Sequence, residues 1–354
     1  MLRRMSLLSL VLSSYCTQAA VINLNFNQTQ FTGQQGVQAQ NAFVEAANFW
    51  ETTLKDDVVL NFNINYTQLS PNVIGSTSST RAYIDYTSVG AALINDAKGA
   101  TDDAAIASLN CNFVNNACEL PFMENLGGVG VVDNNGTADN KIISMTTANA
   151  KALGYAVSDP VDATITFNSD FSFDYDRTNG IQNNLMDFVG VTIHEIGHAL
   201  GFTSGVDVVD NNPGLNLDPY AYISTFDLFR YSAESAAAGV IDMRTGGNSY
   251  FSIDGGNTAL IDLSTGSSSG DGQQASHFKD NINAGIMDPT FAFGEYGNIS
   301  LNDLMAFDAI GWDLQDLEVN LPVDVSEPYI PALLLSGLGM IFWRKRGEVT
   351  RKQK

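Results

Sequence analysis

The order of apolar and polar positions predicts strands and helices over the first part of the chain. Val58 to Tyr66 carries an apolar side chain at every second position, which is typical of a strand with one buried face. Val21 to Phe26 is predicted to be a shorter strand. Residues 36 to 54 place apolar and small residues at helical spacing and predict an amphipathic helix. Ala163 to Asn168 alternates again, and we expect it to be an edge strand.

Capping residues predict two helices further along the chain. Asp187 is expected to cap an almost wholly apolar helix. Ser300, followed three residues later by Asp303, makes a start resembling a capping box. Residues 21 to 320 contain no repeat and no long linker, so we expect one domain, with an insertion at about 206 to 270. We expect the fold of this domain to be of the α+β class.

Residues 1 to 20 have the three parts of a secretory signal peptide. Arg3 and Arg4 supply the positive charge, Met5 to Leu12 supplies the apolar segment, and small residues lead up to Ala20. We therefore predict an exported protein that ends up outside the cell or on its surface.

Residues 323 to 354 are predicted to form a C-terminal sorting or membrane segment. Ser326-Glu327-Pro328 precedes an apolar run from Tyr329 to Trp343, and a basic cluster begins at Arg344. This arrangement resembles the PEP-CTERM sorting signal, with Ser in place of the usual first Pro. The resemblance implies membrane attachment before processing by an exosortase-like enzyme, and a plain C-terminal membrane anchor is the alternative.

Charge and cysteine content narrow the partners and the compartment. The formal net charge is −22, which disfavours nucleic acid as a partner because phosphate backbones would be repelled. Cys111 and Cys118 are the two cysteines beyond the predicted signal peptide. In an exported protein, a pair seven positions apart predicts a local disulfide, and two free buried thiols are the alternative.

The chemistry of the chain centres on the helix predicted after Asp187. His194 and His198 are four positions apart, so both rings project from one helix face with Cβ atoms about 5 to 6 Å apart. That spacing lets one nitrogen of each ring reach a single zinc ion. Glu195 follows the first histidine, where its carboxylate can hydrogen-bond a water molecule activated by the metal.

A catalytic zinc site needs a third protein ligand and one open position. The chain has three histidines in all, and the remaining one is His277. Asp207 and Glu234 are rival candidates for the third ligand. Ten residues after His277 comes Met287, in a predicted tight turn where it can lie beneath the metal.

The motif HExxHxxGF, a distant histidine and a turn with methionine resemble the metzincin clan of zinc peptidases. Within that clan the likeness is to the leishmanolysin-like members, which carry an insertion before the third histidine. Ordinary metzincins have that histidine where this chain has Ser204. The resemblance covers about residues 163 to 313.

This resemblance implies a fold and a role for individual residues. The fold is a twisted mixed sheet with an active-site helix and a C-terminal subdomain that carries the third ligand and the Met-turn. Carried over by position, the residues are the zinc ligands His194, His198 and His277, the general base Glu195, the helix-ending Gly201 and the Met-turn residue Met287.

The predicted activity is zinc-dependent hydrolysis of peptide bonds in a protein or peptide substrate. Two alternatives come from other classes. One is a non-catalytic surface or matrix protein stabilised by zinc, against which the intact Glu195 argues. The other is a module that binds calcium, prompted by acidic and Asn-rich loops at 133 to 136 and 207 to 218. Neither loop has the ligand spacing of an EF-hand.

Overall fold

A computed structural model describes residues 19–109, 111, 113 and 117–315 of the chain. Two predicted segments therefore lie outside the described residues: nearly all of the signal peptide, and the whole C-terminal segment 323 to 354. Within the described part, no helix combines the length and the apolar character needed to cross a membrane.

The described residues form eight α-helices and several separate sheets, so the fold is of the α+β class, as predicted. The helices are α1 (Gly33–Thr53), α2 (Tyr86–Asp96), α3 (Ala100–Ser108), α4 (Thr147–Ala152), α5 (Phe188–Leu200), α6 (Val206–Asn211), α7 (Ala233–Ala238) and α8 (Leu301–Ala309). The strands are β1 (Val21–Phe26), β2 (Val59–Thr67), β3 (Gly75–Ser79), β4 (Arg81–Asp85), β5 (Phe122–Leu126), β6 (Val129–Asp133), β7 (Ile142–Thr146), β8 (Ala163–Asn168), β9 (Phe173–Asp174), β10 (Met186–Asp187), β11 (Arg230–Tyr231), β12 (Ile241–Asp242), β13 (Tyr250–Phe251) and β14 (Ile261–Asp262).

The largest sheet is mixed and has the strand order β1-β2-β8-β3. The first three strands run parallel to one another, and β3 runs antiparallel to β8. The prediction that Ala163–Asn168 is an edge strand is therefore wrong, because β8 pairs on both sides. Alternation reports that one face of a strand is buried, but it does not report how many neighbours the strand has.

One face of this sheet packs against α1 and α5 through aromatic side chains. The ring centroid of Phe43 on α1 lies 5.0 Å from that of Phe167 on β8 and 5.4 Å from that of Phe188 on α5. Trp50 of α1 is fully buried and donates from its indole nitrogen to the carbonyl of Ile193 at 3.1 Å. These contacts fix α5 in the middle of the core.

Helix α5 begins and ends as its sequence predicts. The Asp187 carboxylate accepts the backbone N–H of Gly190 at 2.9 Å, which is an N-cap. The same carboxylate also accepts from the Arg177 guanidinium at 2.8 Å and from the Gly297 N–H at 2.9 Å. At the other end Gly201 has φ of +125°, a conformation that favours glycine and turns the chain out of the helix.

One strand of the insertion predicted at about 206 to 270 pairs with a strand from outside the insertion. Strand β12 pairs in parallel with β5, which lies more than a hundred residues earlier. Strands β11, β13 and β14 form a small antiparallel sheet. Elsewhere, Cys111 and Cys118 form a disulfide, and Ser300 makes the predicted capping box at the start of α8.

Three carboxylates gather where the chain after α1 meets the residues after α8. Oxygen atoms of Asp56, Asp96 and Asp313 lie within 4.8 Å of one another, and Asp56 is 7% exposed. Burial, with smaller contributions from Asp313 and Asp96, raises the pKa of Asp56 to about 8. The folded chain therefore holds a proton on Asp56 that the unfolded chain releases near pH 4.

We expect Asp56→Asn to be more stable than the wild type at pH 8 and close to it at pH 4. A pKa raised in the folded state adds stability below the unfolded pKa and loses it as pH rises toward 8, at up to about 1.4 kcal/mol per pH unit. Urea unfolding at pH 4, 6 and 8 measures the difference. The control is exposed Asp57→Asn, and an equal gain at every pH would contradict the expectation.

Candidate metal centre

The structure brings the three histidines of the chain together at one point. His194 and His198 project from one face of α5, with their Nε2 atoms 3.1 Å apart. His277 comes from a loop 79 residues after His198, and its Nε2 lies 3.1 Å from that of His198. It lies 3.3 Å from the Nε2 of His194. The residues predicted as ligands are thus neighbours in space.

Each ring is held by its other nitrogen. The Nδ1 of His194 bonds the carbonyl of Ile286 at 2.7 Å, that of His198 bonds the carbonyl of Phe202 at 2.7 Å, and that of His277 bonds the carbonyl of Gln274 at 3.1 Å. A carbonyl oxygen only accepts, so each Nδ1 carries the proton and each neutral ring turns an Nε2 lone pair toward the other two.

The electrostatics of the cluster keep the rings neutral. Burial first, and then a neighbouring histidine, lowers the pKa of each of the three rings to about 3. Three lone pairs so close together repel one another, and a cation among them removes that repulsion. Two zinc–nitrogen bonds of about 2.05 Å at the tetrahedral angle place the nitrogens about 3.3 Å apart, which matches the observed triangle.

The loop that carries His277 is fixed by Asp207, one of the rival ligands. The Asp207 carboxylate accepts the backbone N–H of Ala275 at 2.7 Å and that of Ser276 at 3.1 Å. It also accepts from the Ser276 hydroxyl. The other rival, Glu234, lies elsewhere and pairs with Arg244 at 2.6 Å. Neither rival belongs to the histidine cluster in the described chain.

Met287 lies directly against α5, the helix that carries His194 and His198. It is fully buried, and a Cβ added to Gly197 of α5 would lie 2.6 Å from its sulfur. Asp303 fixes this turn by accepting the N–H groups of Ile286 at 2.9 Å and Met287 at 3.0 Å. From the sequence, Asp303 was predicted only as a capping residue of α8. Its hydrogen bonds to the Met287 turn were not predicted.

Glu195 is held by a strand that the sequence analysis did not identify. The hydroxyl of Thr77 on β3 donates to the Glu195 carboxylate at 2.7 Å and lies 2.9 Å from its backbone carbonyl. A Cβ added to Gly75 would lie 2.6 Å from the other carboxylate oxygen. Burial raises the pKa of Glu195 to about 7, and the Thr77 hydrogen bond opposes that rise.

A further group of potential metal ligands includes Asp133 and Asp218, which belong to the acidic loops that prompted the calcium alternative. Asp133, Asp139 and Asp218 have carboxylate oxygens within 4.8 Å of one another. Asp133 bonds Asn135, and Asp139 accepts from Thr137 at 2.6 Å. Oxygen ligands of this kind suit calcium, and calcium binding here stays a prediction.

Comparisons with models of protein families, with curated proteins and with solved structures found no match for this chain.

We expect the full chain to bind one zinc ion per molecule, and His277→Ala to weaken binding by more than about 100-fold. Loss of a ligand should exceed the 10- to 100-fold cost of losing a residue that only supports one. Zinc content by atomic absorption and competition with a chelator measure both quantities. Glu195→Gln is the matched control because its ligands are intact, and unchanged affinity in His277→Ala would exclude the third ligand.

Proposed function

We propose that this chain is a zinc-dependent endopeptidase. The observation that carries the proposal is the convergence of three imidazole Nε2 atoms, all within 3.3 Å of one another, next to Glu195 on the same helix. Three nitrogen ligands leave a fourth position open, which distinguishes catalytic zinc sites from closed structural ones. A closed site has no use for a buried carboxylate beside its first ligand.

The proposal includes the metzincin-like fold, of the leishmanolysin-like kind. Four features support it: α5 packs against β3, β3 is an antiparallel strand at the edge of a mixed sheet, Gly201 ends the helix, and Met287 lies beneath it. The third histidine follows an insertion, as the resemblance implies. The fold class α+β is common to many enzymes, so the site and not the fold carries the argument.

The residues of the site suit general acid–base catalysis of peptide hydrolysis. Bound zinc would polarise the scissile carbonyl and lower the pKa of water at the site toward about 7. Glu195 accepts the proton of the attacking water and later gives it to the leaving amine. The Thr77 hydroxyl holds the carboxylate in place for both transfers.

The substrate proposed is an extended peptide that adds to the outer edge of β3. This strand pairs with β8 on one side, and no strand of the described chain pairs with its other side. An exposed edge binds a peptide through main-chain hydrogen bonds, which suits an enzyme that accepts many sequences. Because Thr77 belongs to this strand, the peptide would lie close to Glu195.

Export and membrane processing belong to the same proposal. The disulfide between Cys111 and Cys118 is typical of proteins that fold in an oxidising compartment. The sequence predicts a signal peptide and a C-terminal tail, and an exosortase-like enzyme would process the tail. Together they would give the route by which the peptidase domain reaches its substrates.

We expect Glu195→Gln to keep its zinc and to lose at least about 100-fold in peptide hydrolysis, because glutamine has the same shape but accepts no proton. Casein zymography with and without a chelator measures turnover, and zinc analysis of the same samples measures binding. Glu234→Gln is the control on an exposed carboxylate. A wild type that binds zinc and cleaves nothing would favour the non-catalytic alternative.

We expect Thr77→Val to lower kcat by roughly tenfold while zinc content stays unchanged, because valine has the shape of threonine without its hydroxyl. Thr77→Ser keeps the hydroxyl and should keep most of the rate. Steady-state rates on a quenched peptide give kcat and KM separately. If valine and serine variants have the same kcat, Thr77 does not position the general base.

A further inference from the structure

A cavity opens beside the segment that follows α5 and is not used by the proposed mechanism. Its volume is about 390 Å³, within the range of ligand pockets. Arg81, Ser204 and Gly205 line it on the side of the active-site helix. The lining also contains Val208 of α6 and several side chains from the segment that follows α6: Leu215, Leu217, Tyr220 and Tyr222.

Arg81 supplies the one charged side chain in this cavity wall, and three of its five N–H groups make no hydrogen bond within the described chain. Its Nη1 donates to the carbonyl of Ser144 at 3.3 Å and to the hydroxyl of Thr203 at 3.1 Å. No described residue accepts from Nε or Nη2, which together form the edge of the guanidinium that binds a carboxylate in a bidentate manner. No described carboxylate forms an ion pair with Arg81.

The other arginines of the described chain are differently placed. Arg177 pairs with Asp187, Arg244 pairs with Asp242 and Glu234, and Arg230 is fully buried with its hydrogen bonds directed to main-chain carbonyls. Arg81 is therefore the one described arginine that combines a free guanidinium edge with an open cavity. Burial lowers the pKa of Arg81, and the charges of Asp227, Tyr83 and Asp207 oppose that shift.

The contrast with a neighbouring cavity strengthens the case for an anionic ligand. That cavity, of about 590 Å³, is lined by four carboxylates: Glu124, Asp133, Asp139 and Asp218. The cavity at Arg81 contains none. In a chain with a net charge of −22, a guanidinium edge in a cavity wall that contains no carboxylate is a place where a carboxylate ligand can bind.

The cavity lies within reach of a peptide bound along β3. Arg81 follows Thr77 by four residues, so their Cα atoms are at most about 14 Å apart. That is the length of three or four residues of an extended substrate. Building on the proposed peptidase function, we propose that the cavity at Arg81 binds an acidic side chain of the substrate and makes the enzyme prefer peptides with Asp or Glu a few residues from the cleaved bond.

Two small ligands test the cavity without relying on catalysis. N-acetyl-glutamate methylamide offers a side-chain carboxylate, and N-acetyl-glutamine offers a terminal one. We expect the first to bind the zinc-loaded full chain, and Arg81→Met to weaken it by about 10- to 100-fold. Either ligand can also bind the zinc ion directly, and that binding would persist in Arg81→Met. The part of the affinity that Arg81→Met removes is therefore the part that comes from the cavity. NMR or calorimetric titration measures it.

Arg81→Met could also disturb the fold, because Arg81 donates to both Ser144 and Thr203. A second variant tests the cavity without changing Arg81. Leu215 is 52% exposed at the cavity wall, so Leu215→Glu should fold normally and place a competing carboxylate beside Arg81. It should abolish Arg81-dependent binding, whereas Leu215→Gln, the neutral control, should keep it. Equal binding in both Leu215 variants, or Arg81-dependent binding of the terminal carboxylate alone, would overturn the proposal.

Mapping cleavage sites in casein completes the test. We expect Asp and Glu to be enriched at one fixed position near the cleaved bonds, and the enrichment to disappear in Arg81→Met but to persist in Arg244→Gln, an arginine outside the cavity. Cleavage without such enrichment and without Arg81-dependent binding refutes the cavity proposal alone. Arg81-dependent binding in a chain that cleaves nothing supports the cavity and refutes the peptidase.

Discussion

The mutual repulsion of three neutral imidazoles is the constraint on which the rest of the site depends. Each ring gives its Nδ1 proton to a main-chain carbonyl, so its remaining lone pair is directed at the other two. Such an arrangement is unfavourable in a buried, low-dielectric core unless a cation occupies the centre. The carbonyls that hold the rings come from the end of α5, from the His277 loop and from the Met287 turn. Three distant parts of the chain must therefore be correctly placed before any metal can be bound.

Aspartate carboxylates fix several loops in the same way. Asp207 accepts two consecutive backbone N–H groups before His277, and Asp303 accepts two at the Met287 turn. Asp210 does the same for Ser268 and Ser269. A carboxylate that receives two backbone donors fixes both peptide planes. Some of the many aspartates of the chain therefore have a structural role, because they fix the backbone of loops that contain no regular secondary structure.

The sequence was most informative where local rules decide the outcome. Strand β2 follows from alternation, and the caps of α5 and α8 follow from side chains that bond their own helix. The His194–His198 pair follows from helical spacing. No periodicity links His277 to that pair, so it was predicted as the one histidine left for a third ligand and then matched by the family resemblance. Strand β3 was missed because Gly75–Ser79, a run of Gly, Ser and Thr, has no apolar alternation. Asp207 was considered a metal ligand because a carboxylate that binds zinc and one that binds backbone amides look the same in a sequence.

The missed strand is also the part of the fold that would link a bound peptide to Glu195 under the proposed function. Thr77 bonds the Glu195 carboxylate from β3, and Gly75 on the same strand leaves room for the other carboxylate oxygen. A peptide that pairs with the outer edge of β3 would stiffen the strand that orients the proposed base, so binding energy along the peptide would also be spent on positioning Glu195. For that reason a strand without large side chains suits this place: bulk at Gly75 would displace the base, and an apolar residue at Thr77 would leave the base without its donor.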